Sequence, residues 1–247
     1  MISVVIPTRD SERTLAHTLA ALIPAAVDGF VREVIVVDGG SKDRTLVVAE
    51  NAGVEVVETT PGRGHQLRIG ARRARFPWLL FLHAGTELAP GWEAVAANFM
   101  QKVDTEQIPA SAAAFRIRLT DEGWTPRFIE AAAGLRCAVL RLTTGDQGLL
   151  IPAALYEQIG GFSDQSSMED IDIVRRLGRR RLRLLAADAV NSAATAGGTR
   201  WTGHALRQEL CLALCAAGIA PERMAWMFGS ARADPAPVEA RQRPTSP

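Results

Sequence analysis

Short, unbroken apolar runs recur along the N-terminal part of the chain, and polar turns and stretches of helical periodicity separate them. Ile2 to Ile6 is a β-branched run stopped by Pro7. Leu15, Leu19 and Leu22 then repeat at helical spacing, behind a capping residue at Ser11. Glu33 to Val37 is a second buried run, closed by the turn signal Asp38-Gly39-Gly40-Ser41. Asp43 to Ala52 reads as a helix ended by Gly53, Val54 to Val57 as a third strand, Gln66 to Ala74 as a helix, and Trp78 to Leu82 as a fourth strand. Strands and helices in alternation imply right-handed crossovers and a mostly parallel sheet. Continuous rather than alternating apolar runs imply strands covered on both faces.

The second half is less regular. Ala113, Phe115, Ile117 and Leu119 alternate with Ala114, Arg116 and Arg118, as in a strand with one wetter face. Helices are expected over Thr125–Leu142, Met168–Leu177, Trp201–Ala217 and Glu222–Phe228, and a short strand over Gln147–Ile151. From Ala231 the chain is rich in Pro and charge, and a disordered tail is expected over 231–247.

With 247 residues, of which 47% are hydrophobic, there is enough apolar material for one sizeable core. Basic and acidic residues number 28 and 27, which argues against a nucleic-acid partner. Cys137, Cys211 and Cys215 form no CxxC pair and are odd in number, so a reduced, cytoplasmic setting is expected. The opening MISVVIPTRD lacks the basic and apolar regions of a signal peptide. No uncharged apolar run approaches the roughly 18 residues of a transmembrane segment.

In an open parallel sheet, ligands bind beyond the carboxyl ends of the strands. That rule selects Thr8-Arg9-Asp10, Asp38, the segment Thr59 to Gly64, and His83-Ala84-Gly85-Thr86-Glu87. Gly62-Arg63-Gly64-His65-Gln66-Leu67 holds only part of a dinucleotide fingerprint, and it follows the third strand rather than the first. No GxxxxGK[ST] or HExxH sequence occurs.

Ser3-Val4-Val5-Ile6-Pro7-Thr8 and Val36-Val37-Asp38-Gly39-Gly40-Ser41-Lys42-Asp43 resemble the opening of family 2 glycosyltransferases of the GT-A fold. The likeness continues through Gly62-Arg63-Gly64-His65-Gln66, Phe81-Leu82-His83-Ala84-Gly85-Thr86, Gly145-Asp146-Gln147-Gly148, Gly160-Gly161-Phe162 and Met168-Glu169-Asp170 with Arg175-Arg176-Leu177. The nearest subgroup by resemblance is that of small cytosolic transferases associated with arsenosugar biosynthesis. The resemblance implies an α/β, GT-A-like fold, with a Rossmann-like nucleotide-binding half and mostly parallel sheet joined to a smaller acceptor-side half. One domain is expected over 1–230, with the nucleotide-sugar half over 1–105 and the acceptor and catalytic half over 106–230.

The activity implied is inverting transfer of a sugar from a nucleotide diphosphosugar, UDP-linked, to an acceptor hydroxyl not identified by the sequence. Asp170 matches the family's general base, with Glu169 and Asp146 beside it in the catalytic blocks. The plainer reading is that Glu169 and Asp170 only favour a helix N-terminus. Asp38 matches the carboxylate that contacts the nucleobase, and a turn-capping aspartate is its alternative. Pro7, Thr8, Arg9, Arg63, Gln66, His83, Gly85, Gln147 and Arg176 complete the expected substrate-binding set; a solvated arginine is the alternative at Arg63, and a turn at Asp146 and Gln147.

The metal motif departs from the family pattern. Where Asp-x-Asp or His-x-Asp is usual, this chain has His83-Ala84-Gly85, and Gly85 offers no ligand. A divalent cation, Mn²⁺ or Mg²⁺, would then fall to His83 and Glu87. Otherwise arginines would neutralise the diphosphate, or the chain would be a non-catalytic sugar-nucleotide binding or scaffold protein. The run Arg175, Arg176, Arg179, Arg180, Arg181 and Arg183 reads as a solvated helix face with its exit loop, and contact of one or two of these arginines with the diphosphate is expected over a nucleic-acid or anionic-membrane partner. Trp124, Phe128 and Leu135, on a helix that also bears Arg127 and Arg136, read as a core or dimer-facing helix, with an acceptor groove or a peripheral membrane contact as the alternatives.

Overall fold

The computed structural model describes residues 1–120, 127, 130, 131, 134, 143, 145–163 and 169–191. The elements run β1 (Ile2–Thr8), α1 (Glu12–Val27), β2 (Val31–Asp38), α2 (Thr45–Asn51), β3 (Glu55–Glu58), α3 (Arg63–Arg73), β4 (Trp78–Phe81), β5 (Thr86–Leu88) and α4 (Trp92–Asp104). They continue as β6 (Ala112–Leu119), a 3₁₀ turn (Gly145–Gln147), β7 (Leu149–Pro152), α5 (Ala153–Gln158), α6 (Glu169–Leu177) and β8 (Leu182–Asn191).

One eight-stranded sheet has the order β3-β2-β1-β4-β7-β6-β8-β5. β1 pairs in parallel with β2 and β4, and β2 with β3. β7 runs antiparallel between β4 and β6, and β5 antiparallel to β8. The expected parallel crossovers therefore build the N-terminal part, and β6 pairing in parallel with β8 restores the common direction beyond β7.

Alternate residues of β1 feed two apolar layers. Val4 and Ile6 pack with Leu15, Leu19 and Leu22 of α1 and with Trp92 and Phe99 of α4. Val5 packs on the other face with Leu67 and Ala71 of α3, Leu155 and Tyr156 of α5, and Val174 of α6. Burial on both faces is why β1, β2 and β4 read as continuous apolar runs. α3 lies unusually close to the sheet: a Cβ on Gly70 would come within 2.3 Å of Val5 Cγ1.

Several expectations need correction. The arginine-rich stretch does not run out into a loop; after a 3₁₀ turn at Arg179–Arg181 it enters β8, a strand held between β6 and β5. β6 alternates only from Arg116 onward, because Ala112 to Phe115 are buried on both sides. The short strand near residue 150 starts at Leu149, since Gly145–Gln147 forms a 3₁₀ turn and Gly148 has φ +65°. β5, α4 and α5 were not foreseen. Met168, the helices at Trp201–Ala217 and Glu222–Phe228, the tail, most of Thr125–Leu142, all three cysteines, and Trp124, Phe128 and Leu135 lie outside the described residues. Among the described residues no helix is long and apolar enough to cross a membrane.

Candidate functional site

The parallel strands end at a rim where β1, β2 and the first turn of α3 meet. β1 pairs with β4 only as far as Val5, whereas its pairing with β2 continues through Pro7 to Thr8 opposite Asp38. The crevice between β1 and β4 is the switch point of the sheet, where chain order reverses. Beyond β4's last residue, Pro7 sits where an interior strand tolerates a residue without an N–H.

Asp38 is 1% exposed, and both its oxygens are engaged. Oδ1 accepts from the Thr8 hydroxyl at 2.9 Å and from the Ser41 hydroxyl at 2.5 Å. Oδ2 accepts from the Gly40 and Ser41 N–H groups at 2.9 and 2.7 Å. Asp38 thus shapes the turn that follows β2, and in this geometry its carboxylate has no lone pair in reserve for a nucleobase. Gln66, also buried, donates from Nε2 to the carbonyls of Thr8 and Val37 at 2.8 and 2.7 Å. It clamps the two strand ends together rather than facing a ligand with its amide N–H. Arg9 is exposed just past β1.

Three residues earlier on α3, Arg63 reaches a pair of acids at the start of α6. Its Nη2 donates to Asp170 Oδ2 at 2.6 Å, and its Nε makes an ion pair with Glu169 Oε1. The Gly145 N–H donates to the same Asp170 oxygen at 3.0 Å. Among the described residues Asp170 Oδ1 has no partner. Burial, with the charge of Asp170 adding to it, holds the Glu169 carboxyl above the usual range despite the opposing Arg63. Burial works against the Arg63 charge, but Asp170, Glu169 and Asp146 outweigh it and keep the guanidinium protonated.

Asp146 faces His83 across the 3₁₀ turn. The carboxylate can only accept, so the 2.8 Å contact with Nδ1 places the imidazole proton there. His83 Nε2 is buried without a hydrogen-bond partner. A Cβ added to Gly145 would stand 2.2 Å from this nitrogen and 2.5 Å from Asp170 Oδ2. His83 and Asp170 therefore close in on one bare α-carbon, and the two acidic blocks come together there. Gln147, 1% exposed, donates to the Phe115 carbonyl at 2.9 Å. Asn191, which sequence reasoning missed inside an unassigned strand, donates from Nδ2 to the Asp146 carbonyl at 2.8 Å and accepts from the Thr86 hydroxyl at 2.9 Å.

Two expected ligands stand elsewhere. Arg176 is committed to the chain itself: Nε and Nη2 donate to Asp172 at 3.1 and 2.7 Å, and Nη1 to the Ile159 carbonyl at 2.5 Å. This ties α6 to the end of α5, so the diphosphate contact expected of Arg176 is not the arrangement seen. Glu87 lies on β5 opposite Val190, whereas His83 pairs with Asp146. Among the described residues no three His, Cys, Asp or Glu side chains converge as a metal site. A Cβ at Gly85 would meet nothing nearer than Thr14 at 3.7 Å, so the missing carboxylate reflects no lack of space at the backbone.

The sequence profile of Glycosyl transferase family 2 matches residues 3–149. Glucosyl-3-phosphoglycerate synthase of Mycolicibacterium paratuberculosis is 40% identical over 75 residues, which are 27% of this chain and 22% of that protein. A PGL/p-HBAD biosynthesis glycosyltransferase of Mycobacterium bovis is 34% identical over 101 residues, 36% of each chain. The matches thus span well under half of either relative. Glucosyl-3-phosphoglycerate synthase of Mycobacterium tuberculosis, solved with Mn²⁺, UDP-glucose and phosphoglyceric acid, superposes with a TM-score of 0.60 at 22% identity, over 89% of this chain and 80% of that one. That likeness shows the fold, the mixed and mostly parallel GT-A sheet. With the profile covering more than half of its length, the chain belongs to glycosyltransferase family 2.

Proposed function

We propose that this protein transfers a sugar from a UDP-linked donor to an acceptor hydroxyl with inversion at the anomeric carbon, and that Asp170 is the general base. The observation that carries the reading is the divided state of the Asp170 carboxylate. Arg63 and the Gly145 N–H both bind Oδ2, which leaves Oδ1 without a partner among the described residues. A base fixed by one oxygen and open at the other is oriented for proton abstraction. In the step, the acceptor oxygen attacks the anomeric carbon and its proton passes to Asp170. The bond from that carbon to the diphosphate oxygen breaks, and its electron pair leaves with UDP.

The donor is assigned to the half at 1–105, where Thr8, Asp38 and Gln66 define the rim, and the acceptor to 106–230. The support for a UDP donor is family membership together with the UDP-glucose bound by the structural relative. That relative also binds Mn²⁺. In this chain the residues at the corresponding place do not fit a hard cation, which requires several oxygen ligands. Gly85 lacks a side chain and Arg63 already lies among the carboxylates. No step is therefore routed through a metal. The diphosphate charge falls to Arg9 and to Arg63, whose Nη1 has no bond among the described residues.

Asp170→Asn tests the reading. UDP release from UDP-glucose should fall 100-fold or more, in the range of general-base contributions, while UDP-glucose still raises the melting temperature as it does in the wild type. Wild-type protein that binds UDP-glucose without hydrolysing it would favour the non-catalytic sugar-nucleotide binding or scaffold role suggested by Gly85. UDP titration in excess EDTA should match titration with Mn²⁺.

A further inference from the structure

Asn191, the last residue of β8, stands where β5, β6 and the Gly145–Gln147 turn meet. It faces Thr86 of β5 in the antiparallel pairing and Leu119 of β6 in the parallel one. Its main-chain carbonyl accepts from the Thr120 N–H at 3.2 Å. The backbone is thus held from both sides, and the side chain projects from a rigid strand end. Its amide has one way round. The Asp146 carbonyl can only accept, so the atom 2.8 Å from it is Nδ2, and Oδ1 accepts from the Thr86 hydroxyl at 2.9 Å. Thr86 is fully buried, so water does not compete for the hydroxyl that fixes the amide plane.

What the amide holds is the turn that aims the proposed base. Gly145, the neighbour of Asp146, donates its N–H to Asp170 Oδ2 at 3.0 Å. The turn closes on itself through the Gly148 N–H and the Gly145 carbonyl at 3.0 Å, and Gln147 fastens it to the Phe115 carbonyl of β6 at 2.9 Å. A turn tied at Gln147 could still pivot about that bond. The Asn191 bond to the adjacent residue attaches it to a second strand. Both halves of the amide are needed for this: aspartate in its place would keep the acceptor and lose the donor.

We infer that Asn191 is a positioning residue for the proposed base: by holding the Asp146 carbonyl it keeps the Gly145 N–H on Asp170 Oδ2, and so keeps Oδ1 free for the acceptor proton. The inference rests on the glycosyl-transfer reading and adds to it a residue that acts only through the turn. Its loss shows in turnover rather than in donor binding. Displacement of a reacting group by about 1 Å costs on the order of 100-fold in rate, whereas the donor rim at Thr8, Asp38 and Gln66 is built on other elements.

The test uses the full chain and follows UDP release from UDP-glucose, with water as the acceptor. Asn191→Asp keeps the side chain's shape and removes its donor. Its kcat should fall at least about tenfold, while KM for UDP-glucose stays within about twofold of wild type. Combined with Asp170→Asn, it should cost little further activity, because Asn191 acts through that carboxylate; a general structural role would multiply the two losses. Thr86→Val, which frees the amide to turn, should lower kcat in the same way, and Thr86→Ser, which keeps the hydroxyl, should recover most of it. Unchanged kcat in a folded Asn191→Asp protein, a rise in KM in place of the loss in kcat, or losses that multiply in the double variant overturns the inference and leaves the transfer reading standing. Should Asn191→Asp fail to fold, the Thr86 pair decides: wild-type kcat in Thr86→Val overturns the inference. Wild-type protein that releases no UDP overturns the transfer reading and this role together.

Discussion

Arg63 and Asp170, 107 residues apart in the chain, are joined by a 2.6 Å hydrogen bond between Nη2 and Oδ2. The same guanidinium pairs with Glu169, whose carboxylate is almost wholly buried. Arg63 is therefore the link by which α3, anchored on the parallel strands, positions the acids at the start of α6. Gln66, one turn further along α3, grips the ends of β1 and β2. One helical turn thus couples the donor rim to the proposed base.

Removing that link should affect stability as well as turnover. In Arg63→Gln, Glu169 keeps its burial and the repulsion of Asp170 but loses its counter-charge, so its carboxyl moves further above the ordinary value of 4.5. A raised folded value favours folding at a pH below the unfolded value and forfeits that advantage as pH rises through the folded value. The variant should therefore lose stability relative to wild type as pH rises above the ordinary carboxyl value of 4.5, by about 1–3 kcal/mol at neutral pH. Urea unfolding midpoints at successive pH values measure this. Arg63→Lys, which keeps the charge, should lie between the two.

Gly145→Ala separates geometry from folding. Its Cβ would stand 2.2 Å from His83 Nε2 and 2.5 Å from Asp170 Oδ2, so one or both side chains must move. Displacement of a reacting group by about 1 Å costs on the order of 100-fold in rate. Sugar transfer should fall by that factor, with the thermal response to UDP-glucose largely kept. Unchanged kcat would remove the Gly145 turn from the catalytic geometry.

Gly70→Ala tests the contact that lets α3 approach the sheet. The added carbon would meet Val5 Cγ1 at 2.3 Å and Val37 Cγ2 at 3.0 Å, both fully buried. Overpacking of this kind costs about 1–3 kcal/mol, although alanine is the better helix former. Chemical denaturation should show the loss, and combining the change with Val5→Ala should recover part of it.

The N-terminal fold was legible because its signals are local. A β-branched run, a turn of small polar residues and an amphipathic helix are each contained within a few positions; β1, β2 and α2 lie close to the expected bounds, and α1 carries the expected Leu15, Leu19 and Leu22 on its buried face. β8 was hidden by composition: Arg179, Arg180, Arg181 and Arg183 masked a strand whose apolar side chains only become meaningful once β6 lies alongside. In the site, Asp146, Glu169 and Asp170 could be named from their motif blocks, and the structure gathers those blocks around Gly145. What the sequence could not carry was who bonds to whom. Arg176 and Asp38 have residue types suited to ligand binding, yet their partners are Asp172 with Ile159, and the turn after β2. Those partnerships depend on separations across the fold.

At the opposite end of the sheet from the site, Glu33 gives the fold a predictable acid sensitivity. Its Oε2 accepts from the Ser3 hydroxyl at 2.5 Å and the Arg75 N–H at 2.7 Å, and Oε1 from Arg75 Nε at 2.8 Å. Burial opposes the charge, but these bonds from Ser3 and Arg75 outweigh it and hold the carboxyl below its ordinary 4.5. A depressed folded value contributes stability that is full above the unfolded value and disappears as pH falls through the folded value. Wild-type protein should therefore lose stability as pH drops below about 4.5, and Glu33→Gln should flatten that part of the curve while lowering stability at neutral pH, since the amide cannot accept from all three donors as a carboxylate does. Parallel acid-unfolding curves for the two proteins decide it: an identical slope below pH 4.5 would show that Glu33 is not the group whose protonation loosens the β1–β2 edge.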